Sequence, residues 1–271
     1  MRSLVTLGDL MLDVIVRLGE PLSPGADANA TTRTGAGGQA ANVAAWAVAL
    51  GAQARCVAKR GSDPAGQLLT AELEARGVEL AGPTEGRNGV VVSIVGPDGE
   101  RTMASDRGVA PELAPGELDP AWFACDCLHI SGYALLASPI DAAARRAAEL
   151  ARATGARVSV DLSAWTHIRA YGPREFRAKV EELAPDVIFA NEPEWEVVGA
   201  AYALASTAVV KRGPRGVLVL GEERLELPAV DGEAVDATGA GDALAAGFLV
   251  GGPELAVQAA ARCVAQLGAM P

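Results

Sequence analysis

Apolar runs of strand length alternate with alanine-rich stretches of helical length along most of the chain. Residues 4–7 suit a short strand ending at Gly8-Asp9, and 13–17 look extended. Residues 23–34 are polar and of low complexity. A helix is expected over 40–50 and another over 66–76, stopped by Gly51 and Gly77, because glycine readily takes the left-handed turn that ends a helix. A strand at 55–59 lies between them. Later the same rhythm gives strands at 127–131, 157–161, 187–190, 208–211 and 217–220, with helices at 139–154 and 173–183. The last part, 242–267, reads as two helices.

One segment breaks the alternation. Residues 89–95 are β-rich, Gly96-Pro-Asp-Gly99 has turn chemistry, and 100–104 returns, so a hairpin is expected. A hairpin set into strand–helix alternation suggests a small β appendage, with 13–34 supplying further strands. The alternation itself implies a doubly wound α/β fold, with a mostly parallel sheet covered by helices on both faces. Ligands in such a fold sit beyond the carboxyl ends of the strands.

Composition narrows the partners. The chain has 271 residues, of which 50% are hydrophobic, enough for one large domain with a sizeable core. A net charge of −11 and the lack of any basic run exclude nucleic acid and an anionic membrane as main partners. No signal peptide and no membrane span are expected, which places the protein in the cytoplasm. Cys56, Cys125, Cys127 and Cys263 have spacings that suit buried free thiols better than a zinc site.

The densest chemistry lies in Asp236-Ala-Thr-Gly-Ala-Gly-Asp242, followed by the apolar helical run 243–249. Gly239 and Gly241, with Ala240 between them, let successive backbone N–H groups converge, and a helix N-terminus adds about half a unit of positive charge. Such a site can hold a phosphoryl group in transfer, and Asp242 can take a proton from a substrate hydroxyl. The plainer reading makes Asp242 the N-cap of a helix after a glycine turn. Gly35-Ala-Gly-Gly-Gln-Ala-Ala-Asn42 satisfies the dinucleotide pattern G-x-G-x-x-A, but the polar residues before it argue against the strand that pattern needs. Gly37 and Gly38 instead allow close backbone approach to a ligand, with Gln39 and Asn42 on the first helical turn able to meet hydroxyls. Asn191-Glu-Pro-Glu194 resembles a capping box; its functional reading sets Glu194 near a hydrated Mg²⁺ and nucleotide phosphates. No Gly-Lys pair occurs, so a Walker A loop is absent.

Taken in order, these motifs resemble the ribokinase-like, or PfkB, carbohydrate kinase family. Asp236 to Asp242 resembles its C-terminal signature, with Ala237 in place of the usual Thr. Gly37-Gly-Gln-Ala-Ala-Asn42 resembles the N-terminal signature, Asn191-x-x-Glu194 its N-x-x-E motif, and Lys211-Arg-Gly213-Pro-Arg-Gly216 a strand-turn near the nucleotide. The agreement runs over 4–268. The resemblance implies a single kinase domain over 1–271 with a β lid, its strands within 10–34 and 86–108. It implies transfer of the γ-phosphoryl group of ATP, with Mg²⁺, to a hydroxymethyl group of a sugar or sugar-like molecule. Asp242 would be the base, with Gly239, Ala240, Gly241 and Asp242 forming the anion hole. Asp13, Gly38, Gln39 and Asn42 would hold sugar hydroxyls; Asn191, Glu194, Lys211, Gly213 and Gly216 would border the nucleotide. Asp236, Thr238 and Gly268 would build a monovalent-cation site for K⁺.

Met11 stands where ribokinases often carry Asn, which weakens ribose as the substrate, and the chain ends soon after Gly268, which puts K⁺ dependence in doubt. Arg107, just after the hairpin, can reach a substrate carboxylate or phosphate, or be a solvated lid-edge residue. Two alternatives remain beside the sugar kinase. A nucleoside kinase of the same fold needs an aromatic base pocket, for which Trp46, Tyr133 and Trp165 are candidates. A non-catalytic binder on the same fold would have no use for Asp242. A homodimer through the exposed lid sheet is a further expectation.

Overall fold

The computed structural model describes residues 2–98, 100–199, 204–232 and 234–271. The chain runs β1 (Ser3–Leu7), β2 (Met11–Leu18), β3 (Ala30–Gly37), α1 (Gln39–Ala49), β4 (Gln53–Val57), α2 (Pro64–Ala75), β5 (Glu79–Ala81), β6 (Gly89–Val95) and β7 (Arg101–Asp106). It continues with β8 (Cys127–Ser131), α3 (Ile140–Ala153), β9 (Arg157–Asp161), α4 (Trp165–Tyr171), α5 (Pro173–Leu183), β10 (Val187–Asn191) and α6 (Glu192–Val198). It closes with β11 (Thr207–Lys211), β12 (Val217–Leu220), β13 (Arg224–Leu227), α7 (Ala240–Gly251) and α8 (Pro253–Val264).

Nine strands form one sheet in the order β13-β12-β11-β10-β9-β8-β1-β4-β5. It is parallel from β5 to β11, and β12 and β13 add an antiparallel edge. One face carries α1, α2, α7 and α8 over a core that includes Trp46, Leu69, Phe189 and Leu249. The other carries α3, α4 and α5 over Leu128, Ile130, Phe176 and Ile188. β1 pairs with β4 on one side and β8 on the other, so the strand order reverses there. A crevice opens beyond the strand ends at such a switch point.

The lid is a separate sheet ordered β3-β2-β6-β7. β2 and β6 pair in parallel, whereas the two outer pairs are antiparallel. Its strands leave the core only three residues after β1 and re-enter it directly at α1. β3 runs three residues past 34. Hydrophobic patterning missed it because its first five residues are exposed and the strand is held by its ladder with β2. A strand therefore does precede Gly35-x-Gly37, contrary to expectation. It belongs to the lid and lies antiparallel to β2, so the dinucleotide pattern still lacks its parallel unit. The hairpin turn is closed by Gly96 N–H donating to the Glu100 carbonyl (2.8 Å); Gly99, expected in that turn, lies outside the described residues.

Candidate active site

The site begins where the chain before α7 turns. Gly239 is the N-cap at φ 78°, and a Cβ there would lie 2.6 Å from Ala269, so only glycine fits. Asp242 is the third residue of the helix, in its first turn, and makes no capping bond, which overturns the N-cap reading: the cap position is taken by Gly239. Its carboxylate is instead turned to α1, where Asn42 Nδ2 donates to Asp242 Oδ2 at 2.7 Å. Asn42 is 6% exposed, and its Oδ1 is buried without a partner. A buried acceptor left open this way is costly unless a ligand donor reaches it.

Lys211, at the end of β11, lies across Gly241; a Cβ on Gly241 would come 3.3 Å from Lys211 Nζ. The same ammonium donates to both oxygens of Asp161, at 2.9 and 2.6 Å. Asp161 is fully buried at the carboxyl end of β9. Its signal in the sequence was an acid closing a predicted strand, yet no motif marked it. Burial pulls the Lys211 ammonium down, but Asp161, Glu194 and Asp242 outweigh it and hold the group above its ordinary value. Asp242 keeps a partly exposed edge while protein excludes most of its water. Burial therefore raises its carboxyl to about 7, with Asp161 adding to the rise and the Asn42 bond and Lys211 opposing it. A carboxyl poised near neutrality suits a general base.

The lid side supplies Asp13. Its carboxyl packs on Gly37, where a Cβ would lie 2.2 Å away, and burial with neighbouring Asp9 raises it to about 7. Gly38, at φ 97°, permits contact with the Asp9 backbone, since a Cβ would meet the Asp9 carbonyl oxygen at 2.5 Å. On the side where a Cβ would stand, the two glycines make room for protein groups. Gln39 has protein partners at its side-chain oxygen. Its Oε1 accepts from Ser131 (2.5 Å) and Ser163 (2.6 Å), tying α1 to β8 and to the turn after β9. Ser163 holds φ 78°, an uncommon angle for a side-chain-bearing residue, locked by these bonds. Between the lid and residues 235–238 lies a cleft of about 520 Å³, lined by Asp13, Val91, Ser93, Arg101, Asp236 and Thr238 among others.

Arg107 is partly exposed and already has protein partners. It donates to Asp9 Oδ2 at 2.7 Å and lies 3.8 Å over the Tyr133 ring. Asp9 Oδ1 is buried and unpartnered. Of the aromatic candidates, Trp46 is core, with Nε1 donating to the Ala269 carbonyl, and Trp165 stacks with Arg169. Tyr133 lines a pocket of about 230 Å³, with Asp9, Arg107, His167 and apolar walls.

Asn191 and Glu194 form a complete capping box: the Glu194 carboxylate accepts from Asn191 N and Nδ2, both at 2.8 Å, and Asn191 Oδ1 accepts from Glu194 N at 2.9 Å. Burial and Asp161 raise the Glu194 carboxyl. Gly213 and Gly216 shape the β11–β12 turn, where a Cβ on Gly216 would lie 2.0 Å from the Leu227 carbonyl oxygen. Among the described residues no three His, Cys, Asp or Glu side chains cluster as a ready metal cage. Three carboxyls around one ammonium nevertheless leave excess negative charge beside the glycine turn. That fits a divalent ion arriving with phosphates, the usual habit of Mg²⁺.

Asp236, Thr238 and Gly268 do converge. Asp236 Oδ1 accepts from Thr238 N (2.9 Å) and Oγ1 (2.6 Å), and Oδ2 accepts from Gly268 N (3.1 Å). The carboxylate is thus spent on protein donors, a poor fit to a cation site.

A family model described as pfkB family carbohydrate kinase matches residues 1–270. The chain belongs to the pfkB family of carbohydrate kinases. It is 33% identical over 261 residues to an ATP-dependent ribose-1-phosphate kinase from Halopiger xanaduensis, covering 90% of this chain and 83% of that protein. A cytidine kinase from Thermococcus kodakarensis is 32% identical over 232 residues, 79% of each. The solved adenosine kinase from Sinorhizobium meliloti superposes with a TM-score of 0.89 at 26% identity, over all of this chain and 96% of that one. Sugar and nucleoside kinases thus both occur among the relatives.

Proposed function

We propose that the protein transfers the γ-phosphoryl group of ATP to a hydroxymethyl group of a sugar or sugar-containing small molecule. The observation that carries this reading is Asp242. It is turned to Asn42, raised to about 7, and in the first turn of a helix that starts from the glycine turn Gly239 to Gly241. In the reaction the substrate hydroxyl gives its proton to Asp242 and forms the new O–P bond. The bond between the γ-phosphorus and the β–γ bridging oxygen breaks, and ADP leaves. The glycine-turn N–H groups and Lys211 stabilise charge on the equatorial oxygens. Mg²⁺ arriving with the nucleotide would supply further neutralisation, and Glu194, whose carboxylate is buried and accepts from Asn191, would add negative charge near it through water and not by a direct bond. Asp13 and the open Oδ1 of Asn42 hold substrate hydroxyls. Gly213 and Gly216 border the nucleotide.

The test is ADP release measured over a panel of sugars, sugar phosphates, sugar acids and nucleosides, with phosphomonoester formation followed by ³¹P NMR. At least one hydroxymethyl compound is expected to turn over, and Asp242→Asn to lower that turnover by orders of magnitude. Silence over the whole panel with ATP bound would sink the proposal. The Tyr133 pocket favours a second reading, a nucleoside as substrate, because its apolar walls and aromatic face suit a planar base beside the sugar. Preference for free sugars over nucleosides in the same panel rejects it. Dimerisation through the lid, whose strand β7 is exposed throughout, is checked by sedimentation.

A further inference from the structure

Two lid arginines reach down onto the loops that set the anion hole. Arg33 on β3 donates to the Leu267 carbonyl at 3.0 Å, and Arg101 on β7 donates to Thr238 Oγ1. The acceptors around them are already engaged by protein. Val264 O takes Val235 N (2.7 Å) and Asp236 N (3.2 Å), Thr238 O takes Cys263 Sγ (3.3 Å), and Ala269 O takes Trp46 Nε1 (2.8 Å). Met270 O takes Gln266 Nε2 at 2.8 Å, and both Asp236 oxygens are used as described above. A monovalent cation is held by oxygens that replace its hydration shell. Here those oxygens face N–H, O–H and S–H donors, and a guanidinium adds a positive charge beside Asp236, which repels a second cation. The loop they brace is the one that places Gly239 against Ala269 and starts α7.

We infer that Arg33 and Arg101 take the place of a monovalent cation in this kinase. They are positioning residues: they brace the 236–238 and 267–270 loops, and because both come from the lid, the anion hole is set when the lid lies over the cleft. The inference rests on the kinase reading for its catalytic consequence, but not for its structural part.

Two measurements on the full chain separate these. The first is binding of Tl⁺, as a K⁺ probe, to the substrate-free protein, followed by ²⁰⁵Tl NMR. Wild type is expected to show no saturable binding. Saturable binding overturns the inference even if no substrate is ever found. The second is turnover on a substrate from the panel, with K⁺ against tetramethylammonium as the only monovalent cation. Wild type is expected to be indifferent. An Arg33→Gln/Arg101→Gln double variant, whose altered side chains are exposed and leave the core intact, should lose on the order of tenfold to a hundredfold in kcat, as expected for a displaced catalytic group, with little change in KM. K⁺ should restore part of that loss, and the charge-keeping Arg101→Lys single variant should retain most of the activity. A double variant with wild-type kcat, or a wild type that needs K⁺, rejects the proposal while leaving the kinase assignment standing.

Discussion

At the scale of single residues, Asp242 and the Asp161–Lys211 pair divide the work. Asp242→Asn should lower transfer by about 10²–10⁴-fold, the usual contribution of a general base. The same change should stabilise the fold at pH 8. A carboxyl raised from 3.8 to about 7 leaves the folded state holding its proton longer than the unfolded chain, so stability falls as pH rises between those values. Melting curves of wild type and variant at pH 5 and pH 8 check this: the gain should grow with pH. In wild type, kcat/KM should climb through about pH 7 as Asp242 loses its proton; a flat profile from pH 6 to 8 would count against it as the titrating base. Lys211→Met would strand the fully buried Asp161 carboxylate, for an expected loss of about 3–5 kcal/mol by denaturant titration. Adding Asp161→Asn should recover much of it. Asp242 stood out in the sequence because two glycines and a helix followed one another. Asp161 did not, because only the folding of β9 beside β10 and β11 brings it under Lys211.

At the scale of elements, the long ones were legible and the short polar ones were not. β8, α5 and β12 fall at the expected residues, since each buries enough apolar side chains to declare its period. β5, α4 and β13 were missed: with three to seven residues each, they form because neighbours supply ladder bonds or packing. The α6 capping box was readable from Asn191 and Glu194 alone. Asn191→Ala should cost about 0.5–2 kcal/mol, the range for a lost N-cap, measured as a shift in the denaturation midpoint. Gly239→Ala tests the entry to α7. A positive φ and the contact with Ala269 predict a loss of about 1–3 kcal/mol, and a larger relative loss in transfer than in stability because the proposed anion hole would move with it.

At the scale of the whole molecule, the lid and core meet over the cleft, and the arginine contacts tie the two together. Substrate binding should therefore slow amide exchange in 101–106 and 236–239 together; protection of one segment alone would mean that they do not move as a unit. The sequence by itself determined the alternation that makes the parallel sheet, the glycines that turn into helices, and the family, because local propensity and motif order need no knowledge of distant contacts. It could not determine what each polar group touches. Gln39 was expected on a substrate and its Oε1 accepts from two serines, Arg107 was expected on a substrate or as a solvated lid-edge residue and donates to Asp9, and Asp236 was expected on a cation and accepts from Thr238 and Gly268. Those outcomes belong to tertiary structure, since a buried hydrogen-bonding group takes whichever partner the fold brings within about 3 Å, wherever that partner lies in the chain.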